Sequence, residues 1–344
     1  MRRTLALAVA LIGACDPTAR SRQGTDAALT GDSNAQTTDS TSVPRARLAT
    51  SAIAGDSYVA WSEIATRGSS ETGGDTSLGQ TALISGVGTA SPQVMITSMA
   101  GATKLVGDTG QFFTITDDST GRLELDRASA TGNSFTTTRV AGGAERGPAL
   151  DADFVYWFGT TSVDAVGAIY KTPRDSSGLD PIAVVPGVAT PRDLVVTAQY
   201  VWWVTDDTVS TLFRSAKDAA APVPLLDQVA ILVAHADSVI VGRFVDNGGV
   251  FEAEVGELDA AGVYHALAEH LPQNHGAKYI AVDGDDLVWF ALDRNIYRMS
   301  LATGGPPTVV PVPGLPPQES GVIALVPGSI LFDFAASGFR SLSR

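Results

Sequence analysis

The chain has 344 residues, 17% of them charged, with 35 Gly, 18 Pro, a single Cys and a formal net charge of −14. That balance, with no Lys- or Arg-rich stripe, excludes an extended nucleic-acid contact, which depends on cationic side chains neutralising phosphates; one cysteine excludes an internal disulfide framework. The body is turn-rich and apolar without sustained helical periodicity, which leaves an all-β chain that closes one large core as a single domain.

At the N-terminus, Met1-Arg2-Arg3 gives a positive start and Leu5 to Ile12 an apolar stretch. The stretch is too short to cross a bilayer core of about 30 Å as a helix. It ends in Ile12-Gly13-Ala14-Cys15, which resembles the lipobox of bacterial lipoproteins. The resemblance implies that residues 1–14 are removed as a signal peptide, that Cys15 is lipidated, and that the protein is exported and held on a membrane of the bacterial cell envelope, outer or inner. The plainer alternative is an ordinary secretory signal with an incidental cysteine. Residues 15–43 hold hardly a large apolar side chain and cannot bury enough surface to offset their ordering entropy. They read as a tether with a reach of about 30 Å if flexible, although Ala27-Ala28-Leu29 leaves open that part of it packs.

From residue 44 to residue 344 one pattern recurs. It is clearest in Tyr279 to Pro313, where short apolar runs at Ile280-Ala281-Val282, Leu287-Val288-Trp289-Phe290, Ile296-Tyr297-Arg298-Met299 and Val309-Val310-Pro311-Val312 are separated by turns rich in Asp and Gly. Four strands in so short a span read as one blade of a β-propeller. The position of Trp289 returns at Trp61, Phe113, Trp157, Trp203, Val241 and Phe332, at intervals of 38 to 52 residues. The expected fold is therefore all-β, a single propeller of seven four-stranded blades, with six as the alternative count. The first blade starts near Ala52 and carries a polar loop from Glu63 to Gly79. The last shows only three strands, between Val322 and Leu342. An open edge there would invite aggregation, so the unassigned Arg45 to Thr50 is expected to supply the missing outer strand and close the ring.

Tyr156-Trp157 and Trp203-Val204-Thr205-Asp206, each followed by an aromatic-basic step at Tyr170-Lys171 and Phe213-Arg214, resemble the YWTD repeats of low-density-lipoprotein-receptor propellers and related bacterial repeats. Tyr297-Arg298 and Phe339-Arg340 repeat the step. The resemblance covers repeats and implies fold, with a lean towards protein binding. The aromatic stripe itself is expected to pack between blades.

Candidate chemistry is sparse. His265, His270 and His275 are spaced by five residues, which suits neither one helical face nor the short paired spacings of zinc sites. There is no Gly-x-Ser-x-Gly elbow, and nearly all Asp residues sit in predicted turns, where they bond their own backbone. No metal and no cofactor is expected. One constellation stands out: polar groups precede the innermost strand of most blades, and the loops between second and third strands open on the same face. Arg146, Arg192, Asp227, His275, Lys278 and Glu319 are the expected ligand-binding residues of this channel mouth. Arg146 and Arg192 are expected to bind without supporting the fold.

Two readings of function follow. The first is a lipid-anchored, non-enzymatic module that binds an envelope protein or glycan, touches the membrane only through its N-terminal lipid, binds no nucleic acid and is a monomer. The alternative is a small-molecule enzyme resembling propeller lyases or lactonases, with a divalent cation at the mouth. Convergence of His275 with two carboxylates would favour the second.

Overall fold

The computed structural model describes residues 47–55, 58–65, 79–85, 93–98, 104–108, 111–117, 122–131, 134–160, 167–178, 181–189, 191–312, 321–326, 329–334 and 339–343. All lie in the unit Ser40–Arg344. The readings at residues 1–43 and at Glu319 fall outside them.

Among the described residues the chain forms seven antiparallel sheets, six of four strands and the last of three. The first holds β1 (Arg47–Gly55), β2 (Tyr58–Ala65), β3 (Gly79–Ser85) and β4 (Gln93–Ser98), and the second β5 (Leu105–Asp108), β6 (Gln111–Asp117), β7 (Leu123–Thr131) and β8 (Ser134–Gly142). The third holds β9 (Ala144–Leu150), β10 (Phe154–Gly159), β11 (Gly167–Pro173) and β12 (Ile182–Val188). The fourth holds β13 (Pro191–Val196), β14 (Tyr200–Thr205), β15 (Leu212–Ala216) and β16 (Val223–Leu226). The fifth holds β17 (Val229–His235), β18 (Ser238–Asn247), β19 (Val250–Leu258) and β20 (Tyr264–Pro272). A short 3-10 turn, η1 (Gln273–His275), leads to the sixth, with β21 (Ala277–Asp283), β22 (Asp286–Ala291), β23 (Ile296–Ser300) and β24 (Thr308–Val310). The seventh holds β25 (Gly321–Val326), β26 (Ser329–Phe334) and β27 (Phe339–Ser343).

In every sheet the strands pair in chain order. The first strands, β1, β5, β9, β13, β17, β21 and β25, lie each beside the next, and β25 lies beside β1. That ring of meanders about a hub of first strands is a β-propeller.

The recurring landmark falls on the second strand of all seven sheets. Its chemistry explains the repeat. Trp157 faces Tyr170, Trp203 faces Phe213 and Trp289 faces Tyr297 as cross-strand partners, with rings stacked at 6.0, 5.6 and 5.4 Å. These side chains turn to the preceding sheet: Trp157 packs with Phe113, Ile115 and Leu125, Trp203 with Tyr156, Phe158 and Ile169, and Trp289 with Ile240 and Val255. The intervening residues turn the other way, as the twofold alternation of a strand requires. Trp202 joins Leu232 and Val241, and Phe290 joins Ile323 and Ile330. Burial on both faces is why the second strands read as unbroken apolar runs. The aromatic stripe thus packs between sheets, as expected.

In the third, fourth and sixth sheets the basic member of the aromatic-basic step lies on the opposite side of its strand. Arg214 sits over Tyr200 and Trp202, 4.3 and 5.1 Å from the ring centroids, and donates to the Ala260 carbonyl of the next sheet at 2.6 Å. Lys171 sits 4.7 Å from the Phe154 ring, whereas Arg298 pairs with Asp286 at 2.8 Å. A further clamp joins the third and fourth sheets: Lys217 Nζ donates to Asp151 at 2.6 Å, and the Tyr156 hydroxyl donates to the same carboxylate at 2.8 Å.

One expectation is corrected. Arg47 to Thr50 does not complete the seventh sheet. These residues open β1, the innermost strand of the first sheet, in register with β2 from Arg47↔Ala65 to Gly55↔Tyr58. The N-terminal strand does meet the last sheet, but at its inner strand β25. A short Arg-Leu-Ala-Thr segment looks like an edge, and only the register shows that Arg47 to Thr50 runs into the hub.

The mouth face as candidate functional site

In an antiparallel meander the start of the first strand and the turn between the second and third strands share one end. On this mouth face five segments of the fourth to sixth sheets form a connected frame. Gln228 and Val229 N–H donate to the carbonyls of Val209 and Ser210 at 2.9 and 3.1 Å, and Phe244 N–H donates to Gln228 O at 3.1 Å. Gly276 packs so closely on Phe244 that a Cβ there would lie 2.6 Å from the ring. Leu292 and Asp293 N–H then donate to Gly276 O and Asn274 O at 3.1 and 2.6 Å.

Carboxylates lock the turns of this frame. Asp207 Oδ1 accepts from Val209 and Ser210 N–H at 3.1 and 2.6 Å, and Asp246 Oδ1 from Gly249 N–H at 2.6 Å. Asp293 accepts from Asn295 N–H at 3.0 Å and from the Tyr297 hydroxyl at 2.7 Å. Burial, with the bond to Asp293, pushes the Tyr297 hydroxyl up to about 12. Five described non-glycine residues have positive φ, and four of them, Ser210, Gln228, His270 and Arg294, lie on this face. Such conformations persist only where surrounding contacts hold them, and they concentrate at functional sites.

The expected site residues divide by role. Arg192 donates to the Val229 carbonyl and, at 3.3 Å, to Ser210 Oγ. Burial pulls its guanidinium below the usual value, against Asp193, Asp206 and Asp207. It braces β13 to β17, so it supports the fold, contrary to the expectation that it would not. Asp227 is exposed and accepts from Thr211 Oγ1 at 2.8 Å. His275 Nε2 lies 3.4 Å from Asp293 Oδ2, with its ring 5.1 Å from that of Tyr297. Arg192, Asp227 and His275 therefore belong to the connected frame. Arg146 stands exposed on β9, donating to Glu145 O at 3.1 Å, and Lys278 is half-buried on β21, 5.9 Å from the Tyr279 ring centroid.

Sequence reasoning missed the role of Lys104. Its ammonium donates to Asp193 Oδ1 at 2.5 Å and to Leu194 O at 2.8 Å, tying the start of the second sheet to the inner strand of the fourth. The paired carbonyl is 90 residues away, and no local signal reports such a bond.

The five-residue histidine spacing is explained by separate partners. His265 lies 3.2 Å from Asp259, His270 2.7 Å from Glu252 and His275 3.4 Å from Asp293, while His235 lies 3.3 Å from Glu257. His275 meets one carboxylate, and among the described residues no three His, Cys, Asp or Glu side chains gather as a metal site. The hydrogen bond to Glu252 raises the His270 value above the ordinary one, and the same bond lowers that of Glu252. The raised His contributes fully below its unfolded value of about 6.5 and loses its contribution as pH rises through the folded value. The lowered Glu contributes above about 4.3 and loses its contribution as pH falls. The pair thus acts between those limits. An NMR titration should place the His270 midpoint above about 6.5, and Glu252→Gln should return it towards that value; an unmoved midpoint would show that the pair is not formed.

On the opposite face a groove of about 620 Å³ is lined by Asp283, Asp285, Asp286, Arg298, Ser300 and Thr303, among others.

No protein-family model matches the chain, and no curated protein matches it. Among solved structures it is similar to the computationally designed Ika8 protein, with a TM-score of 0.57 and 10% identity over 88% of this chain and 98% of that one. The WD40 β-propeller domain of Doa1 aligns with a TM-score of 0.39 and 14% identity over 70% of this chain and 92% of that one. The likeness to the designed protein bears on the fold alone.

Proposed function

We propose that the chain is a lipid-anchored binding module of the bacterial cell envelope, a seven-bladed propeller with YWTD-like repeats whose mouth face holds a protein or glycan without catalysing a reaction. The observation that carries this reading is the connected frame of the fourth to sixth sheets. Its turns are locked by Asp207, Asp246 and Asp293 and hold Ser210, Gln228 and Arg294 in the left-handed region. Folding alone favours relaxed turns, whereas a surface fixed before its partner arrives loses less entropy on binding. Arg146, Asp227, His275 and Lys278 supply directed polar contacts, and Arg192 holds the floor beneath them.

Capture from envelope extract tests this. Immobilised residues 44–344 should retain a specific protein or glycan, and Arg146→Glu with Asp227→Lys should reduce retention at least about tenfold, since a lost charge-assisted contact is worth about 1.5–3 kcal/mol. Both side chains are exposed, so melting should be nearly unchanged. Equal retention by the variant would move the site off this face.

The anchor is tested apart from the site. Full-length chain made in a bacterial host with labelled fatty acid should carry label and sediment with membranes, and Cys15→Ala should lose both. Absence of label on the natural chain would refute the lipobox reading while leaving the mouth untouched.

A further inference from the structure

In the fifth sheet the β18–β19 hairpin outruns its neighbours. β17 accompanies β18 as far as Val229↔Arg243, and β20 accompanies β19 as far as Glu252↔Pro272. Beyond both limits only Asp246↔Phe251 and Asn247↔Val250 continue, a two-stranded tip on the mouth face in which residues 246–250 are all exposed. An isolated pair of strands is marginally stable in water, so this tip can open without disturbing the sheets behind it. Gly248 and Gly249 form the turn, with φ of 69° and 94°, so the turn itself needs no Asn at position 247. Asn247-Gly248 is nevertheless the only Asn-Gly step in the sequence. Among the described residues the Gly248 N–H meets no backbone acceptor, and a Cβ at Gly248 would meet nothing within 4 Å, which leaves its nitrogen open to approach. The Asn247 amide is held loosely, with Nδ2 3.5 Å from Glu252 Oε2.

We propose that Asn247 is a self-modification site, converted in the folded protein to aspartate and isoaspartate through a succinimide formed with Gly248. The Gly248 nitrogen gives its proton to solvent and bonds to Cγ of Asn247; the Cγ–Nδ2 bond breaks, and ammonia leaves with a proton drawn from water. Water then opens the ring. Breaking the bond from the Gly248 nitrogen to Cγ gives aspartate, whereas breaking its bond to the Asn247 main-chain carbonyl carbon gives isoaspartate, with the backbone rerouted through Cγ. Overall a water is consumed and an ammonia released. The other asparagines among the described residues are placed differently. Asn295 Nδ2 donates to Asp293 at 2.9 Å and the next residue is the buried Ile296, while Asn274 precedes His275 inside η1. In both, a bulky following side chain shields the nitrogen that would attack. Conversion at Asn247 puts a new carboxylate beside Asp246 and Glu252 on the rim of the mouth. In the isoaspartate product the extra main-chain carbon also breaks the Asn247↔Val250 pair. The conversion does not depend on the mouth binding a partner.

The full-length chain is aged at mildly alkaline pH below its melting temperature, cleaved after Glu and read by fragmentation mass spectrometry. Asn247 should convert at least about tenfold faster than Asn274 or Asn295, a barrier difference of about 1.4 kcal/mol, and isoaspartate should appear in the product. Gly248→Ala should slow conversion at least about tenfold, because its Cβ stands beside the attacking nitrogen. Alanine at positive φ strains the turn, so circular dichroism melts check that this variant is folded. Asn247→Gln adds no such strain, and its longer side chain disfavours ring closure, so it should keep its amide. Conversion of Asn247 no faster than of Asn274 or Asn295 overturns the proposal. So does aspartate without isoaspartate, the product of direct hydrolysis, or an undiminished rate in both variants.

Discussion

Replacing Trp289 by Ala should lower the stability of the globular unit by about 3–5 kcal/mol, the usual cost of deleting a large aromatic side chain from a packed core. The melting temperature should fall by roughly 6–20 °C for a domain of this size. The indole is fully buried, stacks on Tyr297 and packs against Ile240 and Val255 of the preceding sheet. Its Nε1 also donates to His275 O at 3.3 Å, so the same change loosens the turn that carries His275. Trp289→Phe keeps most of the packing and loses that bond, and should cost less. Denaturant unfolding of the three proteins measures this; a cost below about 1 kcal/mol for Ala, the range of surface changes, would mean that the landmark does not join the sheets.

Removal of β1 should have a larger effect. A chain beginning at Tyr58 should show no cooperative unfolding and should associate, whereas one beginning at Arg47 should melt as a single transition. β1 pairs with β2 along its whole length and lies beside both β5 and β25. Without it the ring is interrupted at two contacts and β2 presents an open edge, a template for pairing with other chains. The seventh sheet needs no latch for this argument, because closure runs through the hub. A cooperative transition with an unchanged denaturant slope in the shorter chain would contradict it, since that slope follows the surface exposed on unfolding.

Strand positions were legible because each sheet must bury a large side chain against the sheet before it, and Trp157, Trp203 and Trp289 leave that requirement visible in the sequence. The aromatic-basic step was legible for the same reason: adjacent residues on a strand face opposite sides, so the ring enters the core and the cation covers another aromatic or finds a carboxylate. The start of the first sheet was not legible, since Arg47 and Ala49 carry little strand signal and pairing with β2 alone identifies them. At the mouth, sequence could place polar residues on a common face by strand count. It could not separate Arg192, whose guanidinium reaches a carbonyl 37 residues away, from Arg146, which stays in solvent. Ser210 and Gln228 carried no local sign of their left-handed backbone, because neighbouring sheets impose it. The histidines were set aside as poor metal ligands, and their actual partners, Asp259, Glu252 and Asp293, lie on three different segments.

The claim that the mouth is the binding face is tested most directly by hydrogen–deuterium exchange of residues 44–344 with and without the partner captured from envelope extract. The account predicts protection in residues 206–211, 227–229, 246–250, 274–276 and 292–295, with little change at 283–286 and 300–308. Protection confined to 283–286 and 300–308 would place the partner in the opposite groove and contradict the account.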